Sequence, residues 1–409
     1  MDLRTLAVMD LKGVILAAGE GRRCRPLTQT RSKVMLPVGN RPFMEYVIRA
    51  LAANDIKEIY VVVGYQKERV MDYFEDGIDF DVNITYIEQN ELLGTAHALL
   101  KVKPYVDEEF LVVNGDNLID KRAIAELVMA EGENVILSAL RRHSGDYGVL
   151  IIDNGLVKEI IEKPGRPCSG ILNTGAYKFT PEVFDALKQA PISERGSYEL
   201  PETIMHMILE GVEVRPQITK GIWADAIFAW DLLNANNLAL GMDEPKILGG
   251  VEEGAVIKGP VHVGAGSIIR SGSYLVGPIS IGEDCDIGPN AVILPSTSVG
   301  SSAKIGPLTE VRNSILMNDA RIGSSSIVSD SVIGASCTLG DQVVVETGDC
   351  VVEIEGLFQR AEFGAIIADD VSAGARVLAS PGTVVGTKAC IGSGAAIRGM
   401  IKRDSRVIC

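Results

Sequence analysis

The first half of the chain alternates short apolar runs with stretches in which apolar residues recur at helical spacing. The apolar runs predict buried strands at residues 14–16, 58–63, 84–88, 110–113 and 135–140. The stretches at helical spacing predict helices at residues 44–54, 95–101 and 122–131. Strands and helices that alternate in this way indicate a wound α/β sheet, in which ligands bind at the carboxyl ends of the strands.

Beyond Met242 the pattern changes to a repeat of six residues, each marked by one aliphatic residue that glycine often follows. The positions in unbroken register are Val251, Ile257, Val263, Ile269, Leu275, Ile281, Ile287, Ile293, Val299, Ile305 and Val311. The register slips near Met317, resumes at Ile327, Ile333, Leu339, Val345 and Val351, and resumes again at Ile367, Val385, Ile391 and Ile397. The change of period predicts two domains, 1–242 and 243–409.

A six-residue unit is one short strand and a turn, and three units make one triangular coil that stacks on the next. This repeat resembles the hexapeptide repeats of left-handed parallel β-helices. Solenoids of that family are commonly trimers, so the resemblance implies a homo-oligomer, a trimer or a multiple of three, formed through the β-helix. The irregular stretch 349–363 predicts either a loop or a short additional strand.

Composition narrows the classes of partner. The formal net charge of −15 and the lack of a long basic run disfavour nucleic acid and anionic membranes. No apolar run reaches the roughly 20 residues that span a bilayer, and charged residues interrupt the apolar N-terminus, so no export signal is predicted. The seven cysteines lack the spacing of a zinc site, and we expect reduced thiols in a cytoplasmic protein.

A glycine turn directly follows the first predicted strand, in the stretch LAAGEGRRCRPLTQTRSKVMLPVGNRP at residues 16–42. Gly19 and Gly21 let the backbone turn sharply and bring its N–H groups close to phosphate oxygens. Arg23 adds a guanidinium fork and Lys33 a compact positive charge. By itself a Gly-x-Gly after a strand is equally well explained by a bare turn. Together with the cations it suits a nucleoside triphosphate.

An aspartate, Asp116, follows the predicted strand at 110–113 in the sequence Val-Val-Asn-Gly-Asp. An isolated Asp at such a place is ordinarily a turn residue or a helix cap. At the carboxyl edge of a sheet it is also well placed to bind a metal ion.

Several of these segments together carry a resemblance to a known family. The glycine turn, Arg23, Pro26-Leu27-Thr28 and Lys33 resemble the signature of the sugar-1-phosphate nucleotidylyltransferases. The likeness runs from about residue 11 to residue 236. It implies a Rossmann-like domain that transfers a nucleotidyl group from a nucleoside triphosphate to a sugar 1-phosphate and releases pyrophosphate.

The resemblance also implies residue roles. The catalytic cations would be Arg23, Lys33 and Lys163, and the metal ligands Asp116, in Gly-Asp-Asn-Leu, and Asp225, in Trp-Ala-Asp. The nucleotide-binding residues would be Leu16, Ala17, Ala18, Gly19, Gly21, Gln89, Gly94 and Thr95. The sugar-phosphate-binding residues would be Tyr147, Gly148, Glu162, Lys163, Asn173 and Thr174. Two hard carboxylates completed by phosphate oxygens and waters would suit Mg²⁺.

The segment around Gln89 has a chemical reason for binding a base and also a simpler interpretation. Gln89 can offer both a donor and an acceptor to a pyrimidine edge. Gly94 and Thr95 would otherwise simply begin a helix, and His97 in the same helix is best interpreted as a packed structural histidine.

Hexapeptide-repeat domains often transfer acetyl groups, and bifunctional enzymes of N-acetylglucosamine 1-phosphate metabolism join such a domain to a nucleotidylyltransferase in the same order. That chemistry needs a base, usually histidine, and His262 is the histidine of the repeat region. The histidine-tyrosine and Asn-Leu-Arg segments of archaeal bifunctional relatives are missing, and Glu362 replaces the lysine of a third segment.

We therefore expect a magnesium-dependent nucleotidylyltransferase that uses UTP or dTTP and a sugar 1-phosphate, with glucose 1-phosphate as the leading acceptor. One alternative is a bifunctional enzyme that also acetylates an amino-sugar 1-phosphate. The other is a non-catalytic regulatory subunit, which the joint presence of Arg23, Lys33, Asp116, Lys163 and Asp225 disfavours.

Overall fold

The computed structural model describes residues 11–141, 147–162, 170–189, 191–193 and 196–408. The chain forms two compact units. The first contains the chain up to Glu20, Ser32–Met35 and Phe43–Ala224, and the second contains Gly21–Arg31, Leu36–Pro42 and the chain from Asp225 onward. Two short N-terminal segments are therefore structural parts of the second unit. The predicted domain boundary at residue 242 stays a prediction.

The N-terminal half forms the alternating elements that its apolar pattern predicts. The strands are β1 (Lys12–Ala17), β2 (Pro37–Val38), β3 (Arg41–Pro42), β4 (Glu58–Val63), β5 (Asn83–Glu88), β6 (Phe110–Asn114), β7 (Leu118–Ile119), β8 (Val135–Arg141), β9 (Val149–Asp153), β10 (Leu156–Ile161), β11 (Gly170–Phe179), β12 (Arg215–Ile218) and β13 (Trp223–Ala224). The helices are α1 (Phe43–Ala52), α2 (Lys67–Phe74), α3 (Thr95–Leu100), α4 (Lys121–Val128), α5 (Val183–Lys188), α6 (Leu200–Leu209) and α7 (Asp231–Leu240). Single 3-10 turns lie at Arg22–Cys24, Leu27–Gln29, Lys33–Met35, Ile78–Phe80 and Lys103–Tyr105.

One mixed sheet forms the centre of the first unit, with strand order β10-β9-β11-β6-β1-β4-β5, and with β8 beside β11 and β12 beside β8. Strand β1 pairs in parallel with β4 and β6, and residues 13–17 are buried because both faces of the strand are covered. Asp120 caps the N-terminus of helix α4, because its side chain accepts a hydrogen bond of 2.9 Å from the Ala123 N–H. The predicted Rossmann-like α/β fold is confirmed.

The C-terminal half forms three long parallel sheets, which together make a left-handed parallel β-helix. Sheet 1 contains Gly250–Val251, Ile268–Ile269, Asp286–Ile287, Lys304–Ile305, Arg321–Ile322, Thr338–Leu339, Ser372–Ala373, Cys390–Ile391 and Arg406–Val407. Sheet 2 contains Val256–Lys258, Tyr274–Val276, Val292–Ile293, Glu310–Arg312, Ile327–Ser329, Val344–Val345, Leu378–Ala379 and Ala396–Ile397. Sheet 3 contains Val261–Val263, Ile279–Ile281, Thr297–Val299, Ile315–Leu316, Val332–Ile333, Ala365–Ile367, Thr383–Val385 and Met400–Ile401. The predicted β-helix is confirmed.

The corners of the coils explain the six-residue period. Asp284, Asn290 and Ser296 stand six apart and have φ angles of 54°, 57° and 65°. Asp and Asn tolerate this left-handed conformation better than most residues. A residue of this kind can therefore end one short strand and turn the chain onto the next side of the triangular coil. Between the corners Ile269 pairs with Ile287, and the buried aliphatic side chains stack along the axis.

Part of the predicted register is wrong. After Val311 the next inward residue is Leu316, five residues on, because this corner is one residue shorter. Val328 is consequently the buried residue of its coil, whereas Ile327 is 41% exposed. Val351 does not belong to the repeat at all, since it lies in an inserted hairpin and is 61% exposed.

The insert at 349–363 is a β-hairpin of Gly348–Ile354 and Leu357–Phe363. Its turn places Glu355 and Gly356 at positive φ, as a tight hairpin turn requires. Phe363 stacks on Trp230 within the second unit, with ring centroids 5.2 Å apart. The insert is thus an ordered extra pair of strands.

None of the helices in the described part of the chain is long and apolar enough to cross a membrane. Cys24, Cys285, Cys337, Cys350 and Cys390 are all free thiols.

Candidate active site

Two strand ends meet at one edge of the sheet in the first unit. Leu16 of β1 pairs with Asn114 of β6 in parallel register, and the Gly115 N–H donates a 2.9 Å hydrogen bond to the Leu16 carbonyl. A side chain on Gly115 would lie 3.1 Å from both Ile15 and Val34, so glycine lets the turn after β6 sit tightly on β1. The predicted carboxyl-edge placement of the turn that precedes Asp116 therefore holds.

The chain beyond β1 opens to solvent at this edge. Leu16, Ala17 and Ala18 are buried, and the Ala18 carbonyl accepts a 3.0 Å hydrogen bond from the Tyr65 N–H. Gly19 is exposed, and a Cβ atom there would meet nothing within 4 Å. A ligand can therefore approach the backbone at Gly19 closely.

An ion pair joins two of the predicted functional residues. Lys33 Nζ lies 2.5 Å from Asp116 Oδ2, and the two side chains are 13% and 28% exposed. Lys33 belongs to the 3-10 turn Lys33–Met35, whose Val34 packs against Gly115. A cation and a carboxylate are thus held in contact, partly screened from water.

The donor set around Asp116 suits a metal ion that is shared with a substrate. No group of three or more His, Cys, Asp or Glu that could hold a metal ion is found among the described residues. The carboxylate of Asp116 is a hard oxygen donor. Divalent magnesium typically binds through one or two carboxylates and substrate phosphates, so the residues present fit such an ion.

Gln89 follows β5 and is buried, with its amide group fixed by two neighbours. Its Nε2 donates to the Gly94 carbonyl at 3.1 Å and lies 2.9 Å from His97 Nδ1. Because an amide nitrogen can only donate, His97 Nδ1 accepts and the imidazole is neutral. Burial, helped by Lys101, lowers the pKa of His97 and so favours this neutral form. Both amide hydrogens of Gln89 are therefore used internally, and its acceptor atom is Oε1.

Gly94 and Thr95 connect this segment to helix α6. Gly94 has a φ of 110°, and a Cβ atom there would lie 2.3 Å from the Tyr198 carbonyl oxygen, so only glycine fits. The Thr95 hydroxyl accepts a 2.9 Å hydrogen bond from the Leu200 N–H at the start of α6. Both residues hold the loop that positions Gln89.

Three of the predicted sugar-side residues lie together in the first unit. The Asn173 N–H donates a 2.9 Å hydrogen bond to the Gly148 carbonyl. A Cβ atom on Gly148 would lie 2.8 Å from Glu162 Oε2 and 3.6 Å from the Asn173 Cβ, so glycine leaves the room these side chains need. Lys163, the predicted sugar-phosphate cation, lies outside the described residues.

Thr174, also predicted on the sugar side, has a buried side chain whose hydroxyl donates a 2.6 Å hydrogen bond to the Leu137 carbonyl. Its own carbonyl accepts hydrogen bonds from Asn117 Nδ2 at 2.9 Å and from Trp223 Nε1 at 3.1 Å. These hydrogen bonds connect β11 to Leu137 of β8 and to the side chains of Asn117 and Trp223.

Trp223 and Arg141 also belong to this region, although neither was predicted from the sequence. The Trp223 ring contacts the Tyr147 ring edge-on at 5.7 Å, and the Arg141 guanidinium lies 5.7 Å from the Trp223 ring centroid. Trp223 could have been found, because it stands two residues before the predicted metal ligand Asp225. Arg141 carried no comparable signal.

Three predicted residues belong to the second unit. Gly21 has a φ of 70° and precedes the 3-10 turn Arg22–Cys24. Arg23 lies in that turn, with its Nε 3.8 Å from Glu355 Oε2 in the hairpin. Asp225 is the residue directly after β13.

Comparison with known proteins finds matches in both halves of the chain. Residues 12–240 match the family model described as nucleotidyl transferase, and residues 275–401 match that of the GMPPB C-terminal domain. Proteins named bifunctional protein GlmU are similar over nearly the whole length. The one from Methanocaldococcus jannaschii is 34% identical and covers 94% of each chain, and the one from Methanococcus maripaludis strain C7 is 37% identical and covers 97% of each.

The N-terminal half also resembles shorter proteins. A glucose-1-phosphate thymidylyltransferase from Streptomyces antibioticus is 36% identical over 63% of this chain and 74% of its own length. A crystal structure of a putative glucose-1-phosphate thymidylyltransferase from Bacillus anthracis matches with a TM-score of 0.52 and 30% identity. That match covers 58% of this chain and 98% of the other.

Proposed function

Because the chain belongs to the nucleotidyl transferase family, we propose that it transfers a nucleotidyl group from UTP or dTTP to a sugar 1-phosphate, with glucose 1-phosphate as the leading acceptor. The observation that carries the proposal is the Lys33–Asp116 contact at the carboxyl edge of the sheet. The contact supports the proposal because it brings a lysine and a carboxylate together at the sheet edge where α/β folds bind nucleotides.

The reaction requires that the two substrates are aligned, and it needs no general base. An oxygen of the sugar phosphate attacks the α-phosphorus in line, the bond between the α-phosphorus and the bridging oxygen breaks, and pyrophosphate leaves. The attacking oxygen already bears negative charge, so no proton has to be removed. Lys33 neutralises charge on the triphosphate, and the open backbone at Gly19 provides N–H donors to it.

Asp116 would hold Mg²⁺, with Asp225 as the second proposed ligand. When bound, the ion neutralises phosphate charge and keeps the two substrates together. Lys33 would then turn from Asp116 toward the triphosphate. In the same proposal Arg23 binds the triphosphate from the Arg22–Cys24 turn.

On the base side, Gln89 would accept a hydrogen bond from the imide N–H that uracil and thymine share. On the sugar side, Tyr147, Gly148, Glu162 and Asn173 would bind hydroxyls, and Lys163 would pair with the sugar phosphate. The contacts among Gly148, Glu162 and Asn173 support a common site for them.

The direct test measures pyrophosphate release by the full chain over a matrix of nucleoside triphosphates and sugar 1-phosphates. Release is expected only when both substrates and Mg²⁺ are present, with UTP or dTTP and glucose 1-phosphate the best pair. Release without a sugar phosphate, or none with any pair, would contradict the proposal.

The second candidate is a bifunctional enzyme that also acetylates an amino-sugar 1-phosphate. Similarity to proteins named bifunctional over nearly the full length favours it. His262 lies on strand Val261–Val263 of sheet 3, and burial lowers its pKa, so it is available as a neutral base. The test is enzyme-dependent thiol release from acetyl-coenzyme A with glucosamine 1-phosphate or galactosamine 1-phosphate.

We also propose that the β-helix assembles the chain into a homo-oligomer. The outward residues of sheet 2 stack in register and are apolar at nearly every coil. They are Val256, Tyr274, Val292, Ile327, Val344, Leu378 and Ala396, with Glu310 among them. A row that is apolar at all of these positions but Glu310 favours association with further copies.

A further inference from the structure

The segment Gly21–Arg31 carries the candidate triphosphate residues Gly21 and Arg23, yet it is structurally part of the second unit. Its last three residues, 29–31, all bond through their side chains to the β-helix. These bonds to the β-helix therefore fix the position of the last three residues of the segment.

Asp369 is the centre of these contacts. Its Oδ2 accepts hydrogen bonds of 2.5 Å from the Thr30 hydroxyl and from Arg31 Nη2, and its Oδ1 accepts one of 2.9 Å from the Ala335 N–H. The Arg31 and Asp369 side chains are only 10% and 7% exposed, so solvent screens this ion pair little. One carboxylate thus ties the segment to a backbone group of the β-helix.

Neighbouring coils hold the same stretch. Thr387 stands at the equivalent corner of the next coil, after strand Thr383–Val385 as Asp369 stands after Ala365–Ile367. Its hydroxyl donates a 3.0 Å hydrogen bond to Gln29 Oε1. Arg31 Nη1 also lies 3.4 Å from Met317 Sδ. Three coils, those of Met317, Asp369 and Thr387, therefore contact the last three residues of the segment.

The segment is bonded internally, so a shift at its end is passed to its start. The Thr28 hydroxyl donates a 3.1 Å hydrogen bond to the Gly21 carbonyl, and the Cys24 N–H donates one of 2.9 Å to the same oxygen. Arg23 lies between these partners in the Arg22–Cys24 turn. Its backbone position depends on both hydrogen bonds.

We propose that Asp369 is a positioning residue for nucleotidyl transfer: through Arg31 and Thr30 it fixes the segment whose Gly21 and Arg23 bind the triphosphate. The inference rests on the proposed function and adds to it that the β-helix contributes to triphosphate binding. Misplacing a binding group by about 1 Å can cost roughly a hundredfold in rate, so a buried anchor of this kind has a measurable effect.

The test compares the full-length wild type with Asp369→Asn and Thr387→Val. Asp286→Asn is the matched control, because Asp286 pairs with Arg270 on sheet 1 and has no contact with the segment among the described residues. Isothermal titration with UTP or dTTP alone measures binding, steady-state kinetics separate the KM values of the two substrates, and amide hydrogen exchange reports on residues 21–31.

In Asp369→Asn we expect nucleoside triphosphate binding to weaken about tenfold and its KM to rise in step, while the sugar-phosphate KM stays unchanged. Exchange at residues 21–31 should rise in that variant and, to a smaller extent, in Thr387→Val, but not in Asp286→Asn. If Asp369→Asn does not fold, Thr387→Val decides by the same criteria.

Unchanged triphosphate binding in folded variants would overturn the inference. Equal losses for both substrates would also overturn it, because they indicate a general structural effect. If the wild type binds no nucleoside triphosphate, the proposed function fails instead, and the two failures are thereby distinguished.

Discussion

At the residue scale, the Lys33–Asp116 ion pair joins the residues that we propose bind the triphosphate and the metal ion. Asp116→Asn should lower turnover about a hundredfold or more, because it removes a charged metal ligand. Lys33→Ala should mainly raise the KM for the nucleoside triphosphate, since its charge acts on that substrate. Pyrophosphate release measures both effects.

The chain offers a matched control in the Lys12–Asp107 pair, whose atoms lie 2.9 Å apart elsewhere in the same unit. Asp107→Asn should leave turnover unchanged. Full turnover in Asp116→Asn, or an equal loss in Asp107→Asn, would contradict the assignment.

The contact between His97 and Gln89 predicts a pH dependence. Neutral His97 accepts an amide hydrogen of Gln89, whereas the protonated ring would donate and repel it. Burial and Lys101 lower the pKa of His97, so the contact is intact at neutral pH and is lost as the pH falls through that lowered pKa. The KM for UTP or dTTP should therefore rise on acidification.

Phosphate groups titrate near pH 6 as well, so the comparison is with His97→Asn, which lacks the titrating ring. Its KM for the triphosphate should be raised at neutral pH and should depend less on pH. Parallel pH profiles for the two proteins would show that His97 has no such role.

Candidate site residues could be predicted from the sequence where they stand in short motifs, but not where they depend on contacts between separated residues. Gly19, Lys33 and Asp116 stand in short motifs at strand ends, and the sheet brings those ends together. His97 was expected to be a packed structural residue, but its contact with Gln89 could not be predicted, because Gln89 lies eight residues away across a turn. The sequence does not show whether that turn folds the two together.

At the scale of elements, the repeat register gives a stability prediction. Val328 is fully buried and Ile327 is 41% exposed, although the two are adjacent. Val328→Ala should lower the free energy of unfolding by about 2 kcal/mol, because it removes buried methyl groups and leaves a cavity. Ile327→Ala should cost clearly less. Chemical denaturation of the full chain, followed by circular dichroism, measures both.

The same pair shows why the register could not be read throughout. Both residues are aliphatic, so a six-residue count and a five-residue step explain the sequence equally well. The shortened corner between Val311 and Leu316 decides between them, and its backbone shape depends on the coils above and below. If Ile327→Ala cost more than Val328→Ala, the observed register would be contradicted.

At the scale of the whole molecule, the apolar outer row of sheet 2 predicts self-association. Ile327→Asp combined with Leu378→Asp should reduce the oligomer, because two charges would have to be buried in the contact. Light scattering of the full chain measures the mass. The control, Thr338→Asp, replaces an outward residue of sheet 1 and should keep the oligomer. An unchanged mass in the double variant would exclude this row as the interface.

The two architectures could be predicted because each has a period of its own, helical spacing between strands before Met242 and a six-residue repeat after it. The attachment of Gly21–Arg31 to the second unit could not be predicted. Arg31 and Asp369 are far apart in the sequence, and neither stands in a motif. Long-range pairs of this kind are fixed only when the fold brings them together.

The central claim is that a sugar phosphate oxygen attacks the α-phosphorus of a nucleoside triphosphate. The most direct measurement uses glucose 1-phosphate labelled with heavy oxygen in its phosphoryl group, together with UTP or dTTP and Mg²⁺, and mass spectrometry of both products. The proposed reaction predicts that the nucleoside diphosphate sugar keeps the whole label and that the pyrophosphate carries none. Label in the pyrophosphate, or no labelled sugar nucleotide, would contradict it.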